Sequence, residues 1–239
     1  MNKFEQEIES FQEIWHGGYK TGYKPKRNQK GIEKYLSKHL DGKTFLEIGC
    51  GGGQWSKFIY QLDIYDKMFC IDVLSEKHNK FWDNLGYSSK QTISYNQVKD
   101  FNLNFLKDDS IDFVFSYDVF CHISKSGLEK YLESLSKKCK KEAKLMIMYA
   151  DPNKYLNSEP ENRFHVMRYL PKQKFSYKFI NSKLINDALD DSDGDPSPGR
   201  WYWVGLSLFL ELCEKYDFRI IENDLNIDKT NPITLFQKK

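Results

Sequence analysis

The sharpest chemistry in the sequence is the run Phe45-Leu46-Glu47-Ile48-Gly49-Cys50-Gly51-Gly52-Gly53-Gln54-Trp55. Glycines there allow a tight turn and let a ligand reach the backbone. Asp72 follows about twenty residues further on, the distance at which an acid in an open α/β sheet can grip ribose hydroxyls. A triphosphate loop needs Lys-Ser/Thr after its glycines, and Gln54-Trp55 stand in that place. A dinucleotide loop needs G-x-G-x-x-G, and the third position after Gly49 and Gly51 is Gln54. Glu47, two residues ahead of Gly49, would repel a pyrophosphate but suits a cation. The ligand this set fits best is therefore a nucleoside bearing positive charge; a plain tight turn is the alternative. A second candidate lies in Asp118-Val119-Phe120-Cys121-His122. An imidazole titrates near neutral pH and suits proton transfer, although a histidine there could equally cap a helix.

The elements that must carry these groups read as alternating strands and helices. A helix is expected over Asn28–Leu40, where Ile32, Tyr35, Leu36 and Leu40 recur at helical spacing, with further helices at Trp55–Leu62, Ser75–Leu85 and Ser126–Lys140. Strands are expected at Thr44–Gly49, Met68–Val73, Thr92–Val98, Ile111–Tyr117 and Lys144–Tyr149. This order implies a parallel sheet covered on both faces. The pattern breaks over Pro152–Arg200, a stretch long enough to be a lid or substrate-binding insertion. It resumes with a helix at Tyr202–Tyr216 and two strands, Arg219–Glu222 and Ile233–Gln237, whose short connection makes them antiparallel. The expected organisation is one domain over residues 1–239, with residues 1–40 as an N-terminal helical lid and 152–200 as an acceptor-binding insertion.

Taken together, Glu47-x-Gly49-x-Gly51-x-Gly53, then Asp72, Asp100 and the strand from Asp112 to Asp118, resemble a class I S-adenosylmethionine-dependent methyltransferase of the small-molecule or glycan type. The resemblance runs from Asn28 to the end. It implies an α/β, Rossmann-like fold: a seven-stranded, mostly parallel sheet with an antiparallel last strand, plus the N-terminal helical segment and the lid insertion. It implies S-adenosylmethionine as cofactor and S-adenosylhomocysteine as product. Glu47, Gly49 and Gly51, with Cys50, Gly53 and Trp55 in the same loop, would line the cofactor's amino-acid end. Asp72 would hold the ribose and Val73 would lie beside the adenine. Asp100 and Phe101 would sit at the adenine amino group, and Tyr117 would lend backbone near the methyl donor.

Methyl transfer from a sulfonium is an in-line displacement governed by positioning and exclusion of water. A hydroxyl acceptor must also lose a proton, so a base should stand near it. In similar enzymes a histidine placed like His122 often faces the acceptor, which makes His122 the catalytic candidate. His16, Tyr19, Tyr149, His165, Arg168 and Arg200 are expected to shape the acceptor pocket. No Asp/Asn/Ser-Pro-Pro-aromatic run follows the fourth strand, which argues against methylation of DNA amino groups. Lys20, Lys24, Lys26, Arg27 and Lys30 occur between Trp15 and Gly31 without an acid, and the start of the insertion is also basic and aromatic. A basic roof suits a small anionic acceptor such as a phosphorylated or nucleotide-linked sugar. The alternatives are an RNA or protein methyltransferase, or a non-catalytic nucleoside-binding domain.

Composition bounds the rest. The chain has 239 residues, with 36 Lys+Arg against 34 Asp+Glu, a formal net charge of +2 that argues against a dedicated nucleic-acid partner. Aromatic residues at 15% exclude a disordered chain, and charged residues at 29% exclude a membrane-embedded one. The acidic N-terminus lacks the apolar core of a leader, so the cytoplasm is expected. The five cysteines contain no C-x-x-C pair, so neither a disulfide framework nor a metal site is expected. Asp190–Asp195 does not hold calcium-loop register.

Overall fold

A computed structural model describes residues 28–86, 92–158 and 202–239. Apolar residues at helical spacing form α1 (Gln29–His39), burying Ile32 and Leu36. The apolar run after it forms β1 (Thr44–Ile48), followed by α2 (Gln54–Leu62) and β2 (Lys67–Asp72). Two short helices, α3 (Glu76–Asn79) and α4 (Phe81–Leu85), lead to β3 (Ile93–Gln97). Then come β4 (Ile111–Ser116), a 3-10 turn at Phe120–His122, α5 (Lys125–Lys138) and β5 (Cys139–Met148). The last elements are α6 (Pro152–Ser158), α7 (Leu206–Lys215), β6 (Phe218–Glu222) and β7 (Ile233–Lys238).

The seven strands form one sheet in the order β3-β2-β1-β4-β5-β7-β6. β1 lies parallel to β2 and β4, β2 to β3, and β4 to β5; β7 runs antiparallel to both β5 and β6. The expected Rossmann-like sheet is thus present, with its antiparallel last strand. Its strands are apolar on both faces because helices cover both. Phe45, Phe113, Phe115 and Met146 pack with α1, α2 and α4 on one side. Leu46, Val114, Leu145 and Ile147 pack with α5 and α7 on the other. The sheet order reverses between β1 and β4, so the loops after those two strands open a crevice at their carboxyl ends.

Three expected elements differ in detail. The helix expected over Ser75–Leu85 is two helices, broken at Lys80 with φ of 50°. The break accompanies burial of Asn79, whose amide donates to the Tyr95 hydroxyl at 2.8 Å. β5 begins at Cys139, earlier than the apolar run, because its polar first half pairs beside Ile111 and bends at Glu142, where φ is 69°. The helix expected from Tyr202 begins at Leu206: Trp203 instead bridges to Ala150, and Gly205 turns the chain with φ of 75°. Most of the expected lid (1–40) and insertion (152–200) lies outside the described residues.

Candidate active site

β1 delivers the chain to the glycine loop at the carboxyl edge of the sheet. The Gly49 and Cys50 amides both donate to the Ile71 carbonyl, at 2.8 and 3.0 Å, which ties the loop to β2. Gly49 has φ of 73°, a left-handed conformation that side chains resist, and a Cβ there would lie 2.1 Å from Val119 Cγ2. The glycine is required because the loop packs directly on the turn that follows β4. Ser116 reinforces this junction, its hydroxyl donating to the Ile48 carbonyl at 2.9 Å.

Asp72, the last residue of β2, closes the loop from the other side. One carboxylate oxygen accepts from the Gly51 amide at 2.9 Å and the other from the Leu74 amide at 2.9 Å. Burial pushes its pKa above the ordinary carboxylate value, against the pull of these hydrogen bonds. The Asn79 side chain and the Val73 amide also donate to this carboxylate, so it is held firmly at the end of β2. Asp72 therefore braces the loop, a role that sequence reading did not assign to it.

Glu47 sits beneath the loop, 1% exposed, and accepts from the Ser56 hydroxyl at 2.5 Å. The alternation of β1 points it at α2, so it supports the loop from inside. Cys50 is buried beside Cys70, and burial, with that thiol as neighbour, raises its pKa well above normal. It is a neutral packing group. Trp55, in the first turn of α2, lies edge-on to Phe115 and Tyr117 with ring centroids 5.8 and 5.7 Å away. Among the described residues its buried indole N–H meets no hydrogen-bond partner, and neither does the buried Gln54 amide nitrogen. Two orphaned donors in one helix's first turn beside the glycine loop fit an anionic group such as a ligand carboxylate.

Val73 and Phe101 pack against the core on the far side of the sheet, and Asp100 is exposed, accepting from the Asn102 amide at 2.8 Å. Tyr117 is held more firmly than its sequence suggests. Its hydroxyl donates to Asp228 at 2.9 Å and accepts from Asn28 at 3.1 Å. Asp228 also receives the Thr230 hydroxyl and the Thr230 and Asn231 amides. Burial works against its charge, but these donors outweigh it and hold its pKa below the ordinary aspartate value. The link joins the start of α1 to the β6–β7 connection at the mouth of β4. Sequence offered no signal for it.

His122 closes the 3-10 turn after β4, half-buried at the carboxyl edge, on the turn that Gly49 contacts. The same turn brings together side chains that sequence reading did not group: donor atoms of Asp118, Cys121 and His122 lie within 4.8 Å of one another. Tyr149 takes a different place from the one expected. It is fully buried, stacked on Phe209 of α7 at 4.1 Å between ring centroids, with its hydroxyl accepting from Thr234. That is the core face of β5, so Tyr149 is a packing residue. His16, Tyr19, His165, Arg168 and Arg200 lie outside the described residues.

An open, mostly parallel seven-stranded sheet with a glycine loop after β1 and an acid ending β2 defines a class I methyltransferase architecture. Solved structures agree in fold. An S-adenosylmethionine-dependent methyltransferase from Mesorhizobium loti has a TM-score of 0.59 at 11% identity, covering 89% of this chain and 99% of that one. One from Methanosarcina mazei gives 0.55 at 16%, covering 85% and 96%. The magnesium protoporphyrin IX methyltransferase of Synechocystis PCC 6803, solved with bound S-adenosylmethionine, gives 0.57 at 12%, covering 100% and 98%. Curated proteins give no significant sequence match. A methyltransferase-domain family matches residues 21–193, well over half the sequence, and the chain belongs to that family. It is an S-adenosylmethionine-dependent methyltransferase of the class I fold. No helix among the described residues is long and apolar enough to cross a membrane.

Proposed function

We propose that the chain methylates an oxygen of a small anionic acceptor, such as a phosphorylated or nucleotide-linked sugar or another phosphoryl compound. S-adenosylmethionine supplies an electrophilic methyl group on a sulfonium, which leaves as S-adenosylhomocysteine. Asp72 would bind the ribose while bracing Gly51, and the Gln54 and Trp55 donors would receive the amino-acid carboxylate. Asp100 and Phe101 would flank the adenine. Tyr117, locked by Asp228 and Asn28, would form a rigid wall that orients the methyl-bearing end. His122 would take or orient the acceptor's proton as the oxygen attacks. The basic, aromatic segments near residues 16–31 and 152–200 would bind the anion through Arg168, Arg200 and neighbouring lysines, and would exclude water.

The observation that carries this reading is the contact between Gly49 and Val119. It sets the turn bearing His122 against the glycine loop, which supports His122 as the group that would meet the acceptor. The test is calorimetric titration of ligand-stripped protein with S-adenosylmethionine, followed by a transfer assay on paired phosphorylated and unphosphorylated sugars. Donor binding weakened about tenfold or more in Asp72→Asn, with transfer confined to phosphorylated acceptors, is the expected result. Equal transfer to both sugars would overturn the acceptor class. Steeply salt-dependent binding of RNA would replace it with a polymer substrate.

A further inference from the structure

The turn after β4 carries more than a histidine. Asp118 is exposed and left-handed, with φ of 64°; Cys121 is buried; His122 is half-buried. The chain thus presents a carboxylate, a thiol and an imidazole from one D-x-x-C-H turn. Their donor atoms lie within 4.8 Å of one another, with Cys121 Sγ 3.9 Å from an Asp118 carboxylate oxygen. Zinc bond lengths at a tetrahedral angle put a sulfur and an oxygen ligand about 3.6 Å apart. The backbone that would hold such a site is anchored twice. The Cys121 carbonyl accepts from the Tyr202 amide at 2.8 Å, and Val119 is pinned against Gly49.

We propose that Asp118, Cys121 and His122 form a binding site for a borderline divalent cation of the zinc type. The mixed sulfur, nitrogen and oxygen set excludes magnesium and calcium, which take oxygen ligands. Three protein ligands leave a fourth position open, as in catalytic rather than structural zinc sites. The exposed Asp118 lies at the open side of the set, and Cys121 at its buried side. The use of the fourth position follows from the methyl transfer proposed above, on which this part rests. A hydroxyl of the acceptor bound at the fourth position becomes more acidic, as water does on zinc. Its O–H bond breaks and the proton passes to solvent. The oxygen then forms the new bond to the methyl carbon as the sulfur–carbon bond breaks toward S-adenosylhomocysteine. With the cation present, His122 orients the acceptor as a neutral ligand.

The test measures metal directly, so it is independent of turnover. Tag-free, chelator-treated full-length protein is titrated with cobalt(II) under reducing conditions, then with zinc(II) in competition. The expected result is one cobalt per chain, with intense visible bands of a tetrahedral ion and an ultraviolet thiolate-to-cobalt band, all displaced by zinc. Cys121→Ser should abolish the thiolate band. Asp118→Asn should weaken binding by more than about 100-fold, beyond the roughly 10–100-fold that an outer-shell change costs. Asparagine tolerates the left-handed conformation at an exposed position, so this variant tests the site even if Cys121→Ser fails to fold. S-adenosylmethionine titration of each variant reports whether the donor site is intact. Absence of cobalt binding in the micromolar range, or an identical spectrum in Cys121→Ser, would overturn the proposal while leaving the methyltransferase reading in place.

Discussion

Gly49→Ala tests whether the glycine loop and the β4 turn are one mechanical unit. The substitution carries two costs. The first is backbone: φ of 73° in a non-glycine residue costs about 1–2 kcal/mol. The second is steric, because the new Cβ would sit 2.1 Å from Val119 Cγ2 and 2.8 Å from its Cγ1. Overpacking of that kind adds roughly 1–3 kcal/mol. Gly86→Ala supplies the control: φ there is 83°, yet nothing among the described residues lies within 4 Å of its added Cβ. Only the backbone cost applies. Near the size of this chain each kcal/mol moves Tm by about 2–4 °C, so Gly49→Ala should melt several degrees below Gly86→Ala. Val119→Ala removes both clashing methyls. In the double variant it should restore about 1–3 kcal/mol, read as a coupling in urea denaturation. Equal melting temperatures for the two glycine variants, with no coupling to Val119, would refute the claimed contact. The support it gives to placing His122 beside the donor would fall with it.

Trp55→Phe keeps the aromatic packing against Tyr117 while deleting the orphaned N–H. A hydrogen bond to a charged group is worth about 1.5–3 kcal/mol, so S-adenosylmethionine affinity by calorimetry should drop roughly tenfold or more. Unchanged affinity would mean that this donor meets no ligand carboxylate. Asp228 makes a pH prediction. Its folded pKa lies below the ordinary aspartate value of 3.8, despite burial, because Thr230, Asn231 and Tyr117 donate to it. Its stabilising contribution is complete above the unfolded value and is lost as pH falls through the folded one. Asp228→Asn should lower stability at neutral pH and flatten the acid limb of the stability–pH curve. A curve parallel to wild type would show the carboxylate is not held in this way.

The glycine loop and the acid after it were legible because they are written in local sequence. Glycines between an apolar strand and a helix, with an acid at the end of the next strand, are close in the chain and have one geometric solution. What escaped depends on distant partners or on facing. Tyr117 meets Asp228 across 111 residues and Asn28 across 89, so neither carries a recognisable spacing. The bracing of Gly51 by Asp72 is a backbone contact that residue types do not announce. Tyr149 is different, because the signal was present: a period of two puts it on the same face as Leu145 and Ile147, toward α7. The Asp118, Cys121 and His122 set was also visible as spacing. It does not match the paired-cysteine pattern of a metal motif, whereas a left-handed Asp118 and a 3-10 turn gather three unlike donors within five residues.

The two halves of the crevice are built from different material, and this bears on specificity. On the donor side, the loop is positioned by Gly49, Cys50 and Gly51 amides held by Ile71 and Asp72. Backbone contacts of that kind survive wide change in side chains, which accords with fold similarity persisting at 11–16% identity. On the side proposed for the acceptor, the described contributors are side chains on one short turn. That turn is fixed at Val119 by Gly49 and at Cys121 by Tyr202. Substitutions at Asp118 or His122 should therefore alter acceptor chemistry and leave donor affinity nearly intact, whereas a change at Gly49 should disturb both. A variant at His122 that lost donor binding as fully as transfer would contradict this division.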